Sequence, residues 1–379
     1  MRKPSKQFGV LAVAAGVLLA GCVGGSDPSP GTSSPPSASA PATLKTSLTL
    51  NPVNYSGVRV IVATFSDPVR GRLVDLEQRT ETGWKVASSG SEDASGRVEF
   101  RVPYSKAEYR AVARETADGG TEAVKTETMS QSDQWKLDFR EEFSQSSLTN
   151  KYWSPRQTGR YVGSRLCSAP YPTGLQVKGG SLIATVETAS AERTREVETT
   201  AGASLGVPAA EACPHGVWDA AMVSTEGKYA FKYGIAAIRA KFPTTPGIHA
   251  SAWLQSEDDE GAEIDFIETF GPKYGIQHKL HYKENGQDKS AGGYVKTLPQ
   301  VKTNAWWADY HVFSVEWSAD EYIFRIDGVE TFRTSDGVSK ADEFIVLSLL
   351  ASDWELERID PKQMPGTMAV DWFKVWKQK

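Results

Sequence analysis

The sequence is poor in the residues that hold structural metals. It contains three cysteines and five histidines among 379 residues, and the histidines do not cluster. Structural zinc sites use four cysteine or histidine ligands, so a zinc-stabilised domain is not expected.

Positive charge is not in excess either. The chain has 42 Lys and Arg against 47 Asp and Glu, a formal net charge of −5, and it shows no basic stripe or glycine-rich phosphate loop. Nucleic-acid binding depends on contacts between basic side chains and phosphates, so no nucleic-acid partner is expected. The apolar content of 40% and the charged content of 23% are ordinary for a globular protein.

Long apolar runs are scarce. The run of residues 8–20 follows three basic residues and is too short to be read as a membrane span. It ends in Leu-Ala-Gly-Cys22, which resembles a bacterial lipobox. We expect residues 1–21 to be a lipoprotein signal peptide and Cys22 to be lipidated, which anchors the protein to a membrane at the cell surface. The alternative is an ordinary secretory signal.

An exported chain folds in an oxidising environment, which bears on the remaining cysteines. A disulfide between Cys167 and Cys213 is therefore favoured, with two separate free thiols as the alternative. Residues 22–43 are rich in Ser, Pro, Gly and Ala, and this composition predicts a disordered linker.

The rest of the chain reads as two regions built from strands. Residues 44–130 contain short alternating runs separated by turn residues about every ten positions, which favours an Ig-like β-sandwich accessory domain. Residues 131–379 also show strands, with Gly and Pro throughout and without long helical periodicity, and this favours a β-jelly-roll sandwich. The segment 187–200 reads as a long loop.

Three acids lie close together in the second region. Glu263, Asp265 and Glu268 alternate with strand-forming residues, which predicts a buried strand. Ionised carboxylates are costly away from water, so acids kept there indicate a function. The alternative is a partly exposed strand whose acids are simply solvated.

The spacing of the acids requires a bulge. Side chains alternate along a strand, so Glu263 and Asp265 share a face, whereas Glu268 points to the other face. A β-bulge at Phe266 and Ile267 would return Glu268 to the first face. Two Glu side chains leaning together could then reach the separation of about 5–5.5 Å used in retaining glycoside hydrolysis.

The run Glu-Ile-Asp-Phe-Ile-Glu resembles the bulged ExDxxE signature of glycoside hydrolase family 16, the laminarinase-like enzymes. The resemblance extends in the family's order over about residues 134–379 and implies a concanavalin-like jelly roll. It departs from the family pattern at His249 and Ala250, where Trp and Pro are usual, and at Ala237, where Glu is frequent. Other segments that resemble the family are 135–143, 175–183, 224–234, 238–243, 310–317, 326–328 and 370–376.

The resemblance implies roles for particular residues. Glu263 would be the nucleophile, Glu268 the acid/base and Asp265 their helper. His281 lies in the following strand, where family enzymes often carry a histidine beside the acid/base, and by alternation it points away from His278. Aromatic side chains in a cleft can stack on sugar rings, and the candidates for such substrate contacts are Trp253, Trp307 and Trp354. The family's calcium site would correspond to Asp371 and Glu142.

The expected function is retaining, endo-acting hydrolysis of internal β-1,3 or β-1,3/1,4 linkages in a β-glucan. No cofactor is expected to be required. A structural calcium at Asp371 and Glu142 is one interpretation, and surface acids without an ion are the alternative. The protein is expected to be a monomer. Three alternatives stay open: hydrolysis of a galactan or cell-envelope polysaccharide, transglycosylation, and a glycan-binding lipoprotein without catalysis.

Overall fold

The computed structural model describes residues 45–116, 123–129, 134–149, 151–156, 165–257 and 261–379. The predicted signal peptide, the linker of residues 22–43 and Cys22 lie outside the described residues. Residues 44–379 form one compact unit. Within the described part of the chain, no helix is both long enough and apolar enough to cross a membrane.

The first seven strands form a small β-sandwich. Strands β1 to β7 span Thr46–Leu50, Val58–Phe65, Leu73–Thr80, Gly83–Ser91, Arg97–Pro103, Tyr109–Ala113 and Val124–Lys125. One antiparallel sheet has the order β1-β2-β5 and the other the order β4-β3-β6-β7. Both sheets bury alternate apolar side chains, such as Ile61 and Leu76, in one cluster. A sandwich is therefore present in this region, while its assignment to the Ig-like type stays a prediction.

The remaining strands form a larger sandwich. Strands β8 to β24 span Trp135–Glu141, Ser154–Pro155, Ser168–Pro170, Leu175–Lys178, Ser181–Thr188, Trp218–Ser224, Ala230–Phe231, Gly234–Lys241, His249–Ser256, Glu263–Thr269, Ile276–Glu284, Gln287–Tyr294, His311–Trp317, Tyr322–Ile326, Val329–Thr334, Glu343–Leu350 and Gly366–Gln378.

These strands make two facing sheets, as the jelly-roll prediction requires. In the inner sheet, β13 and β14 pair with one side of β23, and the order continues β23-β16-β17-β18-β19. In the outer sheet, β12 and β8 pair with one side of β24, and the order continues β24-β15-β20-β21-β22. One large apolar cluster fills the space between them. The all-β fold is confirmed.

The segment 187–200 is not a loop, so that prediction is wrong. Helices α1 and α2 span Ala191–Leu205 and Ala209–Ala212. The Ser190 side chain accepts a hydrogen bond from the Arg193 backbone N–H, 3.2 Å away, and thereby caps the first turn of α1. The predicted disulfide between Cys167 and Cys213 is present, with Cα atoms 5.5 Å apart. It fastens the end of the helical segment to strand β10.

The small sandwich packs against the outer sheet. Its Val53, Tyr55 and Val60 form an apolar cluster with residues of β15 and β20, including Ala237. The Tyr55 hydroxyl lies 2.8 Å from the Ser314 hydroxyl of β20. The outward face of β15 is therefore buried under the sandwich.

A buried charge also joins the two sandwiches. Arg325 of β21 has no exposed side-chain surface and donates to Glu99 of the small sandwich at 2.7 Å and to Glu316 of β20 at 2.8 Å. A buried charge must be paired to be tolerated. The contact between the sandwiches therefore combines an apolar cluster with a buried ion pair.

Candidate active site

Strand β17 carries the three acids and contains the predicted bulge. Phe266 and Ile267 together lie opposite the single residue His278 of β18, where the register between the strands shifts. The extra residue returns Glu268 to the face of the other two acids, and all three line one cavity of about 270 Å³, here called the central cavity. Their partners on β18 are His281 for Glu263, Lys279 for Asp265 and Gln277 for Glu268.

His278 contacts the bulge from the core side of the inner sheet. Its ring is fully buried, with Nδ1 2.9 Å from the Phe266 carbonyl oxygen and Nε2 2.8 Å from the Thr331 hydroxyl. Burial lowers the pKa of His278 to about 4, so the ring is neutral near pH 7. In that state Nδ1–H donates to the bulge carbonyl and Nε2 accepts from Thr331. As alternation predicted, His278 and His281 lie on opposite faces.

The electrostatics of the acids follow from burial and from their mutual repulsion. Asp265 is 5% exposed, and burial raises its pKa well above the ordinary value, with further increases from the negative charges of Glu263 and Glu268. Burial also raises the pKa of Glu263, and the charge of Glu268 adds to that increase. A proton on Asp265 removes one negative charge from the group.

Positive groups surround Glu263. His281 Nε2 lies 3.8 Å from an Asp265 carboxylate oxygen, and the charge of His281 lowers the pKa of Glu263. Arg156 and Arg165 line the central cavity and lower the same pKa. His281 was predicted beside Glu268, but its strand partner is Glu263, and Gln277 takes the place opposite Glu268. The two arginines were not predicted. They precede the acids by about 100 residues, in segments without a recognisable motif.

Gln277 is a further residue at the acids that the sequence did not reveal. Its side-chain amide donates a short hydrogen bond to Glu268 Oε2. This contact depends on the register of β17 and β18, in which the two residues are direct partners. A partly buried glutamine in a strand gives no signal without that register.

The predicted tryptophans have different environments. Trp253 lines the central cavity and donates from Nε1 to the Ser348 hydroxyl at 3.2 Å. Trp354 is 52% exposed. Trp307 is only 2% exposed and donates to the Val301 carbonyl at 2.7 Å, so its prediction as a cleft residue is wrong. It packs in the core because the short helical turn that carries it folds inward.

The departure from the family pattern at His249 has a structural partner. His249 lines the central cavity, and its Nδ1 lies 2.7 Å from a Glu355 carboxylate oxygen. Its ring lies 5.2 Å from that of Phe270, which in turn lies 5.9 Å from Trp354. These rings connect the cavity to a surface depression, here called the aromatic patch, which is lined by Phe270, Tyr274, Tyr294, Trp354 and Arg358.

The carboxylates proposed for calcium have basic partners. Asp371 lies 2.6 Å from Arg239, and Glu142 lies 2.8 Å from both Arg140 and Lys374. A calcium site at these residues stays a prediction. Among the described residues, a set with the spacing of metal ligands is formed by Glu263, Asp265 and His281, the active-site candidates themselves.

Comparisons with known proteins agree with this geometry. The sequence model of "Glycosyl hydrolases family 16" matches residues 186–374. The chain is 26% identical over 179 residues to a glucan endo-1,3-beta-glucosidase A1 of Niallia circulans, which covers 41% of this chain and 26% of that protein. It is also 26% identical over 122 residues to a beta-1,3-glucan-binding protein of Tenebrio molitor, covering 28% and 24%. Each match spans about a quarter of the relative.

The fold is similar to that of solved structures. The catalytic domain of an endo-1,3-beta-glucanase (laminarinase) from Thermotoga petrophila RKU-1 superposes with a TM-score of 0.50 at 20% identity, covering 65% of this chain and 99% of that one. At that identity the similarity shows the shared architecture.

Proposed function

The chain belongs to glycosyl hydrolase family 16, and from this we propose that it is an endo-acting, retaining glycoside hydrolase that cleaves internal β-1,3 or β-1,3/1,4 linkages of a β-glucan. The observation that carries the proposal is the bulge in β17, which brings Glu263, Asp265 and Glu268 to one cavity. Retaining hydrolysis needs two carboxyl groups that flank the scissile bond, about 5–5.5 Å apart.

We assign the roles from the family resemblance, and the surroundings of Asp265 support its part. Glu263, beside three positively charged or ionisable basic groups, attacks the anomeric carbon and forms a glycosyl-enzyme ester. Glu268 gives its proton to the departing glycosidic oxygen. Glu268 then takes a proton from water, the water oxygen attacks the anomeric carbon, and the bond to Glu263 breaks. Asp265 keeps a proton and so limits repulsion between the two glutamates.

An open groove on both sides of the acids supports internal cleavage. A second depression of about 550 Å³ shares Arg156, Gln255 and Glu263 with the central cavity and extends toward His281 and Lys283. The aromatic patch extends the surface beyond Phe270 in another direction. A long chain can therefore pass through, with Trp253 and Trp354 as stacking surfaces for sugar rings.

A reducing-end assay on a polysaccharide panel tests the proposal. We expect new reducing ends from laminarin or mixed-linkage β-glucan, and retention of the β-anomer in the first product by NMR.

Glu263→Ala should remove nearly all activity, and Glu268→Ala should lower kcat by about 10²–10⁴-fold because proton transfer is lost. Glu284→Ala, at the end of β18, is the control. A fully active Glu268→Ala, or an inverted product, would contradict the roles.

The similarity to a glucan-binding protein supports a second candidate, glycan binding without hydrolysis. Saturable binding of laminarin with no new reducing ends, at any enzyme concentration, would select it. Products longer than a starting oligosaccharide would instead indicate transglycosylation. Cleavage of a galactan or envelope polysaccharide, but no β-glucan, would keep the chemistry and change the substrate.

We further propose that the protein is exported and held at the cell surface by lipid on Cys22, as a monomer. The basic N-terminal segment and the Leu-Ala-Gly-Cys run support this. Radiolabelled palmitate should be incorporated into the parent but not into Cys22→Ser, which should be released into the medium. Equal labelling of both would refute the anchor.

A further inference from the structure

A groove of about 570 Å³ lies where the small sandwich meets the end of strand β24, here called the outer groove. It is on the solvent side of the outer sheet, because Phe373 and Val375 of β24 point into the core whereas Trp372 and Trp376 do not. Both sheets and the core between them therefore separate this groove from the central cavity. The side chains that line the groove include Tyr104, Leu137, Arg239, Asp371, Trp372 and Trp376.

The two tryptophans form a fixed apolar surface. They are four strand steps apart, about 13 Å between Cα atoms at roughly 3.3 Å per step. Both are half-buried and pack against the apolar cluster that joins the two sandwiches. Tyr104 and Leu137, 45% and 41% exposed, add apolar surface to the groove. The remaining surfaces of both tryptophans border solvent.

The charges of the groove are already balanced. Arg239 lies 2.6 Å from Asp371, and Arg140 and Lys374 each lie 2.8 Å from Glu142. An anionic ligand would have to displace these carboxylates. An uncharged ligand with many hydroxyl groups can instead hydrogen-bond to the paired ions without breaking them. A pyranose ring has this chemistry, with hydroxyls at its edge and an apolar C–H face that suits an indole ring.

We propose that the outer groove is a second binding site for a neutral polysaccharide, which it holds without cutting. The choice of β-glucan as that polysaccharide rests on the proposed function. Ligand sites occur preferentially at domain interfaces, with aromatic walls and a few placed polar groups, and the outer groove has these properties. Its tryptophans are recessed beside the small sandwich, which suits a chain lying in a groove better than a flat membrane surface.

Binding is tested in a Glu268→Gln background, in which turnover no longer removes the ligand. The probes are soluble laminarin, by isothermal titration, and insoluble β-1,3-glucan, by pull-down. We expect Trp372→Ala and Trp376→Ala each to weaken retention on the insoluble glucan by about tenfold, equivalent to about 1.4 kcal/mol. Trp84→Ala, a partly exposed strand tryptophan of the small sandwich that is flanked by arginines, is the matched control. With Glu268 intact, cleavage of short oligosaccharides should be unchanged in all three variants.

Unchanged retention by both groove variants would overturn the proposal. So would binding to vesicles of anionic phospholipid that is lost in Trp372→Ala while glucan retention persists. Tyr104→Ala provides a milder variant, since this side chain is exposed and lies outside the core of the larger sandwich. Failure of the proposed function would appear differently: the parent with Glu268 intact would release no reducing ends from β-glucan, whereas failure of the groove leaves that cleavage intact.

Discussion

The three acids of the central cavity are chemically similar but electrostatically different. Asp265 is the most buried and lies between the other two in sequence, so its ionisation is opposed both by lost hydration and by two negative neighbours. The pKa of Glu263 is raised by burial and by the charge of Glu268, but His281, Arg156 and Arg165 nearby partly offset that increase. The proposed roles match these surroundings: burial and two negative neighbours favour a proton on Asp265, whereas basic groups lie beside Glu263, the proposed nucleophile.

Asp265→Asn should stabilise the fold near neutral pH. Folding raises the pKa of Asp265, so the stability linked to its protonated form is complete below the unfolded-state pKa and is lost as pH rises through the folded-state pKa. Asparagine carries no charge at any pH and avoids that loss. Thermal melts should therefore show a higher Tm than the parent at pH 7, and a difference that shrinks toward the ordinary Asp pKa of about 3.9.

Activity should fall in the same variant, though less than in Glu263→Ala. Asp320→Asn, at an exposed turn, controls for the loss of one negative charge. A Tm of Asp265→Asn that is lower than the parent's at pH 7, or a difference independent of pH, would contradict the pKa direction.

Some of these residues could be found from the sequence and others could not. Alternation and the odd spacing of Glu268 were sufficient to place the acids, to require the bulge and to separate His281 from His278. Gln277 and Arg156 could not be found in this way, because their contacts depend on strand register and on chain paths that no local pattern encodes. The burial of Trp307 had the same cause, since an aromatic residue in a loop gives no indication of which way the loop folds.

The β-bulge in strand β17 depends on side-chain contacts from strands β18 and β22. The bulge leaves the Phe266 carbonyl without a regular ladder partner, and His278 supplies one from β18 while Thr331 of β22 orients the ring. A polar group left unpaired in the core costs about 1–3 kcal/mol. The inner and outer sheets are thus coupled at the residue opposite the bulge.

His278→Ala should lower both stability and turnover. We expect a loss of at least about 1–3 kcal/mol in the free energy of unfolding, measured by urea denaturation, because the Phe266 carbonyl loses its donor. We also expect kcat to fall more than KM changes, because Glu268 loses its position while the sugar-stacking surfaces remain. His215→Ala, an exposed histidine after α2, is the control. Unaltered kcat in His278→Ala would separate this ring from the geometry of the acids.

Strands were predictable as elements, whereas the helix was not. Period-two patterns and turn residues predicted short strands in residues 44–130 and a buried strand at the three acids, and the structure has strands in both places. Helix α1 buries few side chains, among them Arg193, Val197 and Ala201. Its sequence therefore carries many polar residues and little apolar periodicity. The N-cap Ser190 was the available signal, and it is weak by itself.

The two sandwiches form one body, and this accounts for a departure from the family pattern. Ala237, where glutamate is frequent in the family, is fully buried under Val53 and Tyr55. A glutamate there would be an unpaired charge beneath the sandwich. The sequence indicated a boundary near residue 130 but not this contact. Arg325, Glu99 and Glu316 occupy positions that alternation assigns to solvent.

Glu99→Ala should destabilise the whole protein. Arg325 would keep its ion pair with Glu316 but lose its partner on the small sandwich. Removing one member of a buried ion pair costs up to about 3–5 kcal/mol of folding stability. Glu77→Ala removes a more exposed partner, that of Arg110, and should cost less than about 1 kcal/mol. Urea unfolding of the two variants compares them. Equal, small losses would mean that the sandwiches are held together by the apolar cluster alone.

The docking of the small sandwich also sets where the described chain begins relative to the acids. The described chain enters at β1, in a body that is pressed onto the back of the outer sheet, and the acids open from the opposite side of the molecule. A support attached ahead of that strand would hold the protein from behind. The mouth of the cleft would then stay clear of that support and open to polymer.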